Sequence, residues 1–426
     1  MQVTQTLGEQ IYTTTLKNGL QVMLLPQSDF HQTYAMLTVK YGSLDNEFIT
    51  AHRHVKLPIG IAHFLEHKIF EKANYDAFEL FSKNGADANA FTTYDKTSFL
   101  FTATHNLHAN IDILLDTVQT PYFTPQTVNK EKAIIAQEIN MYVDDPDWQL
   151  FMQLMRNLYP HYPLSHDVAG TVTSVQQITA DDLWCAYRNF YLPNNMQLLM
   201  TGDFDVNQVI KWVNDNQNKR QLTSQSLPQL VQTNAVNPDI VHHTCQTAMI
   251  TRPKCIIGVK NLVPFVHNRQ GMRLKVAMNL LLDMLLGDDS CNYLKLYQQR
   301  ILDDTFGYEF SITAAASFVA ISGDTNNADQ FIKTLQTLLQ HAVTNPALNE
   351  AHLQRVKKAN IGAYLRSFNS LSSLANQIVD NQYQNANFFD IVTLLMDISL
   401  DEIIDLARRF FVPQAFSTVT LLPKED

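Results

Sequence analysis

Four cysteines are few for a chain of 426 residues, and Cys185, Cys245, Cys255 and Cys291 form no C-x-x-C pair. That spacing excludes a cysteine-built zinc ribbon and a thioredoxin-like redox motif. Four scattered thiols in a chain this long read as reduced, intracellular residues. Basic charge is also short. Lys and Arg number 31 against 41 Asp and Glu, for a net charge of −10 and a pI near 5.7. Nonspecific nucleic-acid binding rests on phosphate neutralisation by Lys and Arg, so that class is excluded. No run of about 18 apolar residues is present, so no membrane span is expected. The start, MQVTQTLGEQIYTTTLKNGL, lacks a basic segment followed by an apolar core, so a signal peptide is not expected either. Together these absences point to a cytoplasmic protein without nucleic-acid or membrane partners.

What remains is a packed globular chain, 46% hydrophobic and 17% charged. At roughly 150 residues per domain, its length calls for two or three domains. An internal repeat divides it. Ile178 to Pro193 read ITADDLWCAYRNFYLP and Ile398 to Pro413 read ISLDEIIDLARRFFVP, in step at an offset of 220 without gaps. Ile178/Ile398, Asp181/Asp401, Arg188/Arg408, Phe190/Phe410 and Pro193/Pro413 are identical. Thr179 and Ser399 are N-caps with acidic residues in the first turn. The prolines end each helix, and a strand-like run, MQLLMTGD or FSTVTLLP, follows.

The reading is α+β: two homologous domains, each a mainly antiparallel sheet covered by helices. The first domain covers residues 1–218, a polar linker 219–244, and the second domain 245–426. Asn18-Gly19 marks a hairpin. TYAMLTVKYG and CIIGVK read as strands. Leu57 to Phe70, Val128 to Tyr142, GMRLKVAMNLLLDMLLG and NEAHLQRVKKANIGAYLRSF read as helices.

The chemistry concentrates in GIAHFLEHKIF. His63 and His67, at i and i+4, lie on one helical face with Glu66. Their neighbours Ile61, Ala62, Phe64, Leu65, Ile69 and Phe70 are apolar. Burying two imidazoles and a carboxylate there is costly unless something compensates them, and a zinc ion would. H-x-x-E-H is the inverted form of the zincin signature, with the histidines as ligands and Glu66 off the metal as general base. A third ligand is sought in NKEKAIIAQEINMY. Glu131 and Glu138 are two turns apart, about 10 Å of rise, too far for both to hold one ion. Glu138, among Ile134, Ile135, Ala136 and Ile139, has the more buried setting and is taken as the ligand. Glu131 is left as an outer partner or a solvated residue. KVAMNLLLDMLL, the counterpart of the motif helix, carries Met and Leu instead. One zinc ion per chain, in the first domain, is expected.

These residues resemble the pitrilysin/insulinase family of inverted-zincin peptidases across essentially the whole chain. The carriers are His63-x-x-Glu66-His67, Glu131-x6-Glu138, GADANAFTTYDKTSFLF and FYLPNNMQLLMTGDF. More narrowly, HFLEHKIFE with EINMYVDDP is similar to a half-size bacterial branch associated with aminopentanol modification of elongation factor P. The resemblance implies a zinc endopeptidase of extended peptides or unfolded segments. It implies His63, His67 and Glu138 as metal ligands, Glu66 as base and Glu131 as accessory acid. Asn89 and Ala90 match the strand that holds the substrate backbone by β-augmentation, though a plain edge strand fits them too. It also implies pairing into a four-domain clamshell, as a homodimer or with a related subunit lacking the zinc motif.

One place departs from the family. Its members carry an Arg and a Tyr in the second domain that reach the substrate. LYQQRILDDTFGYEF supplies Tyr308, either to polarise the carbonyl or as a structural residue. Ile301 stands where the Arg is expected, with Arg300 one residue early. On a helix that shift turns a side chain by about 100°. The competing reading is a scaffold or assembly subunit with a structural or vestigial zinc site.

Overall fold

The computed structural model describes residues 1–426 except 7–8, 51–52, 221–222, 232–234, 236, 314–315 and 425–426. The chain divides into two compact units. The first comprises Met1–Asn140, Asp167–Gln232 and Ser370–Asn376; the second comprises Met141–His166, Thr233–Asn369 and Gln377–Asp426.

The first unit is built on a seven-stranded sheet. In spatial order its strands are Gln2–Thr6, Glu9–Thr15, Gln21–Pro26, Met196–Gly202, Thr33–Val39, Thr97–Ala103 and Ala86–Thr92. All neighbours are antiparallel except Gln21–Pro26 with Met196–Gly202. The Asn18-Gly19 signal is met: Glu9–Thr15 and Gln21–Pro26 pair across it, with Gly19 at φ 93°. Thr33–Val39 is buried along its whole length, as a central strand covered on both faces requires. Ala86–Thr92 ends the sheet, with one side of its backbone unpaired within it.

The second unit holds a five-stranded sheet in the order His243–Ala248, Phe416–Pro423, Lys254–Lys260, Ser317–Asp324, Gly307–Ile312. Among the described residues its only parallel pair is His243–Ala248 with Phe416–Pro423. In each unit the strand after the repeated helix therefore enters the sheet alike, parallel to one neighbour and antiparallel to the other. The repeat helices run Ala180–Phe190 and Leu400–Phe410. Thr179 Oγ1 accepts from the Asp182 amide at 3.2 Å and Ser399 Oγ from the Glu402 amide at 3.3 Å, so both caps form.

Three boundaries differ from those read in the sequence. The motif helix is Ile61–Phe70, not Leu57–Phe70, because Gly60 at φ 90° turns the chain immediately before it. A Cβ on Gly60 would sit 2.4 Å from the Ala169 carbonyl oxygen, so that approach admits only glycine. The helix Pro146–Leu158, inside the range 1–218, belongs to the second unit, where Leu154 packs against Gly258 of the Lys254–Lys260 strand. The polar segment 219–244 is not wholly linker. A helix runs into it as far as Arg220, Gln229–Leu230 pair with Phe48 and Ile49, and a strand begins at His243. Positions 221–222, 232–234 and 236 of that segment lie outside the described residues. The four cysteines are unpaired. Among the described residues no helix is long and apolar enough to cross a membrane.

Candidate metal centre

The motif helix buries Ile61, Ala62, Phe64, Leu65 and Ile69 in the core of the first unit. Helical geometry then turns His63, Glu66 and His67 to the other side. The Pro125–Val143 helix meets that side through Glu131 and Glu138. His63 Nε2 lies 3.5 Å from Glu138 Oε1, and His67 Nε2 lies 3.5 Å from Glu138 Oε2. One donor atom from each of the three falls within 4.8 Å of the others. Tetrahedral ligands about 2.0–2.2 Å from a zinc ion stand roughly 3.3–3.6 Å apart; the two His–Glu138 distances match that spacing, and three protein donors would leave a fourth position. Among the described residues this is the one such group of three His, Cys, Asp or Glu side chains, and it lies in the first unit.

The two glutamates divide the His67 ring between them. Nε2 faces Glu138, while Nδ1 is 3.1 Å from Glu131 Oε1. An imidazole is wide enough to touch side chains two helical turns apart, one at each nitrogen. Burial pulls the His67 pKa down. The Glu131 hydrogen bond and the charges of Glu66, Glu138 and Glu131 outweigh that, leaving it above its ordinary value. Burial raises Glu131, but the His67 bond and the His67, Lys68 and Lys130 charges hold it below the ordinary carboxylate range. One expectation is corrected: Glu131 is the more buried glutamate, its side chain 13% exposed against 28% for Glu138. Ile135 and Ile139 turn into the core, whereas Ile134 is exposed, so the apolar stretch around Glu138 does not enclose it.

Glu66 stands apart from the three donors and is buried. Thr92 Oγ1 donates to its Oε2 at 2.6 Å. A cleft of about 720 Å³ opens beside Glu66, His67 and Glu131 and is lined by Asn89 and Ala90 of the sheet-edge strand. The Ala90 amide donates to Asn89 Oδ1 at 2.8 Å.

Three supporting residues escaped sequence reasoning. Thr92 is one. Lys68 is another: its side chain is wholly buried, bonded to Glu71 and 4.0 Å from Glu131. Burial draws its pKa below the ordinary lysine value, against the pull of Glu131. Lys72 is the third. It donates to the carbonyls of Ile69, Thr117 and Thr120 at 2.6, 2.7 and 2.7 Å, tying the end of the motif helix to the end of the Leu107–Gln119 helix. The only signal available for Lys72 was a lysine two positions beyond the end of a mostly apolar helix.

Tyr308 and Arg300 belong to the second unit. The Tyr308 hydroxyl donates to Asp283 Oδ1 at 2.8 Å, and Asn360 donates to Asp283 Oδ2 at 2.7 Å. Arg300 is not on a helix, so the 100° argument does not describe it. The helix Cys291–Gln298 has ended, and Arg300 sits exposed at φ 57° in the turn beyond. The Ile301 amide bonds the Leu296 carbonyl at 3.0 Å, and both side chains are buried, as in a left-handed helix terminus closed by an apolar contact.

Residues 22–172 match the model for insulinase (peptidase family M16), and residues 177–360 match the peptidase M16 inactive domain. The chain is 39% identical over 422 residues to the uncharacterized zinc protease YmfH of Bacillus subtilis (strain 168), covering 98% of both. An M16-like peptidase from Alicyclobacillus acidocaldarius superposes with a TM-score of 0.93 at 30% identity, over 99% of this chain and 100% of that one. A protease from Helicobacter pylori shares the fold, with a TM-score of 0.80 at 19% identity over 97% and 99% of the two chains.

Proposed function

This chain belongs to the insulinase family, peptidase family M16, and from that membership we propose that it is a zinc-dependent endopeptidase acting on extended peptides or unfolded segments. The carrying observation is the donor triangle of His63, His67 and Glu138 with Glu66 beside it and outside it. A structural zinc site closes its coordination and needs no base. Here three protein donors leave a position open next to a carboxylate.

Zinc bound there supplies Lewis acidity towards a peptide carbonyl and towards water. His63, His67 and Glu138 would hold it. Glu66 takes a proton from the attacking water at its free oxygen and returns it to the leaving amine. Glu131 orients the His67 ring from Nδ1. The free edge of Ala86–Thr92, at Asn89 and Ala90, takes the substrate backbone as an added strand. Tyr308 and Arg300, which the family resemblance assigns to the substrate, stand in the second unit and enter the proposal as substrate-contacting groups on that resemblance alone.

The same proposal includes a zinc-binding first domain and a homologous second domain without metal, read in the sequence as 1–218 and 245–426 about a connection 219–244, with Met141–His166 given to the second unit. It includes one zinc per chain, a cytoplasmic location, and pairing as a homodimer or with a related subunit lacking the motif. No residue of the site speaks for or against the aminopentanol branch of the resemblance, which adds nothing to the substrate.

The test is cleavage of a random peptide library by the purified chain, alone and with a related subunit, with and without chelator. Glu66→Gln is expected to keep one equivalent of zinc and to lose hydrolysis. One equivalent of zinc with no cleavage in any arm would establish the scaffold reading instead.

A further inference from the structure

Thr92 is the last residue of the edge strand and sits half-buried against Glu66. Its hydroxyl has two polar neighbours: Glu66 Oε2 at 2.6 Å and Thr97 Oγ1 at 3.4 Å. Thr97 faces it directly across the ladder and spends its own proton on the Tyr41 carbonyl at 2.9 Å. The Thr92 proton therefore goes to the carboxylate, which when ionised only accepts. A glutamate carboxylate turns easily about its last bond. A short charge-assisted bond to one oxygen removes that freedom and leaves the other oxygen available. Thr92 is itself stiff, being β-branched on a paired strand.

We infer that Thr92 is a positioning residue for Glu66, anchoring one carboxylate oxygen so that the other faces the water to be deprotonated. This rests on the reading of Glu66 as base. Ala90 and Thr92 share one face of the strand, two residues apart. Ala90 lines the cleft, so the strand that borders it also holds the base. Any displacement of that strand by an added peptide is transmitted to Glu66 through one hydrogen bond.

The experiment compares Thr92→Val and Thr92→Ala, which remove the hydroxyl, with Thr92→Ser, which keeps it. Zinc content, steady-state kinetics on one cleaved peptide and crystal structures are measured for each full-length chain. In both hydroxyl-free variants kcat is expected to fall by roughly 10- to 100-fold, as for lost supporting contacts elsewhere, with KM within about twofold. Thr92→Ser recovers most of kcat, and all variants bind one equivalent of zinc. The Glu66 carboxylate adopts more than one orientation in Thr92→Val and a single one in Thr92→Ser. Unchanged kcat in the hydroxyl-free variants, a change confined to KM, or loss of zinc overturns the inference. So does a single, wild-type Glu66 orientation in Thr92→Val. That crystallographic result stands even if the wild-type chain cleaves nothing, an outcome that would defeat the peptidase reading by itself.

Discussion

Glu131 Oε1 approaches His67 Nδ1 at 3.1 Å, on the side of the ring opposite the nitrogen that faces Glu138. A ligand histidine whose other nitrogen is held in this way has its tautomer and ring orientation set before metal arrives. His63 lacks the equivalent: its Nδ1 is buried without a hydrogen-bond partner among the described residues. The two histidines of the motif are thus unequal, and His67 is the better-prepared one.

Replacing Glu131 with alanine should weaken zinc binding by roughly 10- to 100-fold. Glutamine keeps an acceptor but not the charge, so its effect should be smaller. Competition with a chromogenic chelator measures both. Equal affinity in wild type and Glu131→Ala would show that the His67 contact contributes nothing to the site.

The same pair sets a pH window for the metal-free chain. His67 titrates above its ordinary value, so its contribution to stability is full below about pH 6.5 and fades as pH rises through its folded value. Glu131 titrates below its ordinary value, so its contribution is full above about pH 4.5 and fades as pH falls through its folded value. Both contribute fully only between those limits. Denaturant midpoints of the zinc-free chain should therefore peak there more sharply in wild type than in Glu131→Gln.

Lys72→Met should destabilise the first unit by about 2–3 kcal/mol. The change leaves two buried carbonyl acceptors, those of Ile69 and Thr117, and the partly buried one of Thr120 without their donor. Urea unfolding would register this as a lower midpoint at unchanged slope. A neutral result would mean that solvent reaches those carbonyls.

Ile301→Arg places an arginine where the family resemblance expects one. Ile301 is buried beneath the turn, so the substitution should cost about 3 kcal/mol or more. Arg300→Gly, by contrast, relieves a left-handed residue and should stabilise by roughly 0.5–1 kcal/mol. Thermal melts of the two variants are expected to move in opposite directions.

Much of the site was legible because it is written on one helix. The i, i+4 histidines with an intervening glutamate need only 3.6 residues per turn to share a face, and the apolar neighbours state which face is inside. The 220-residue repeat was legible for a similar reason, since caps, prolines and strands are local. Duplication, two α+β units and a cluster of three candidate metal donors in the first one followed from those features.

The sequence by itself determined which residues could form the donor set, because helical periodicity is a property of the chain. Only the tertiary structure decided how a second helix lies across the first. Spacing orders Glu131 and Glu138 along an axis, but says nothing of that axis's rotation or of an imidazole offering one nitrogen to each. Thr92 reaches Glu66 through strand pairing across 26 residues, Lys72 reaches carbonyls 45 and 48 residues away, and Arg300 leaves its helix because Ile301 is drawn into the core. Contacts of that kind are set by packing, and no local pattern encodes them.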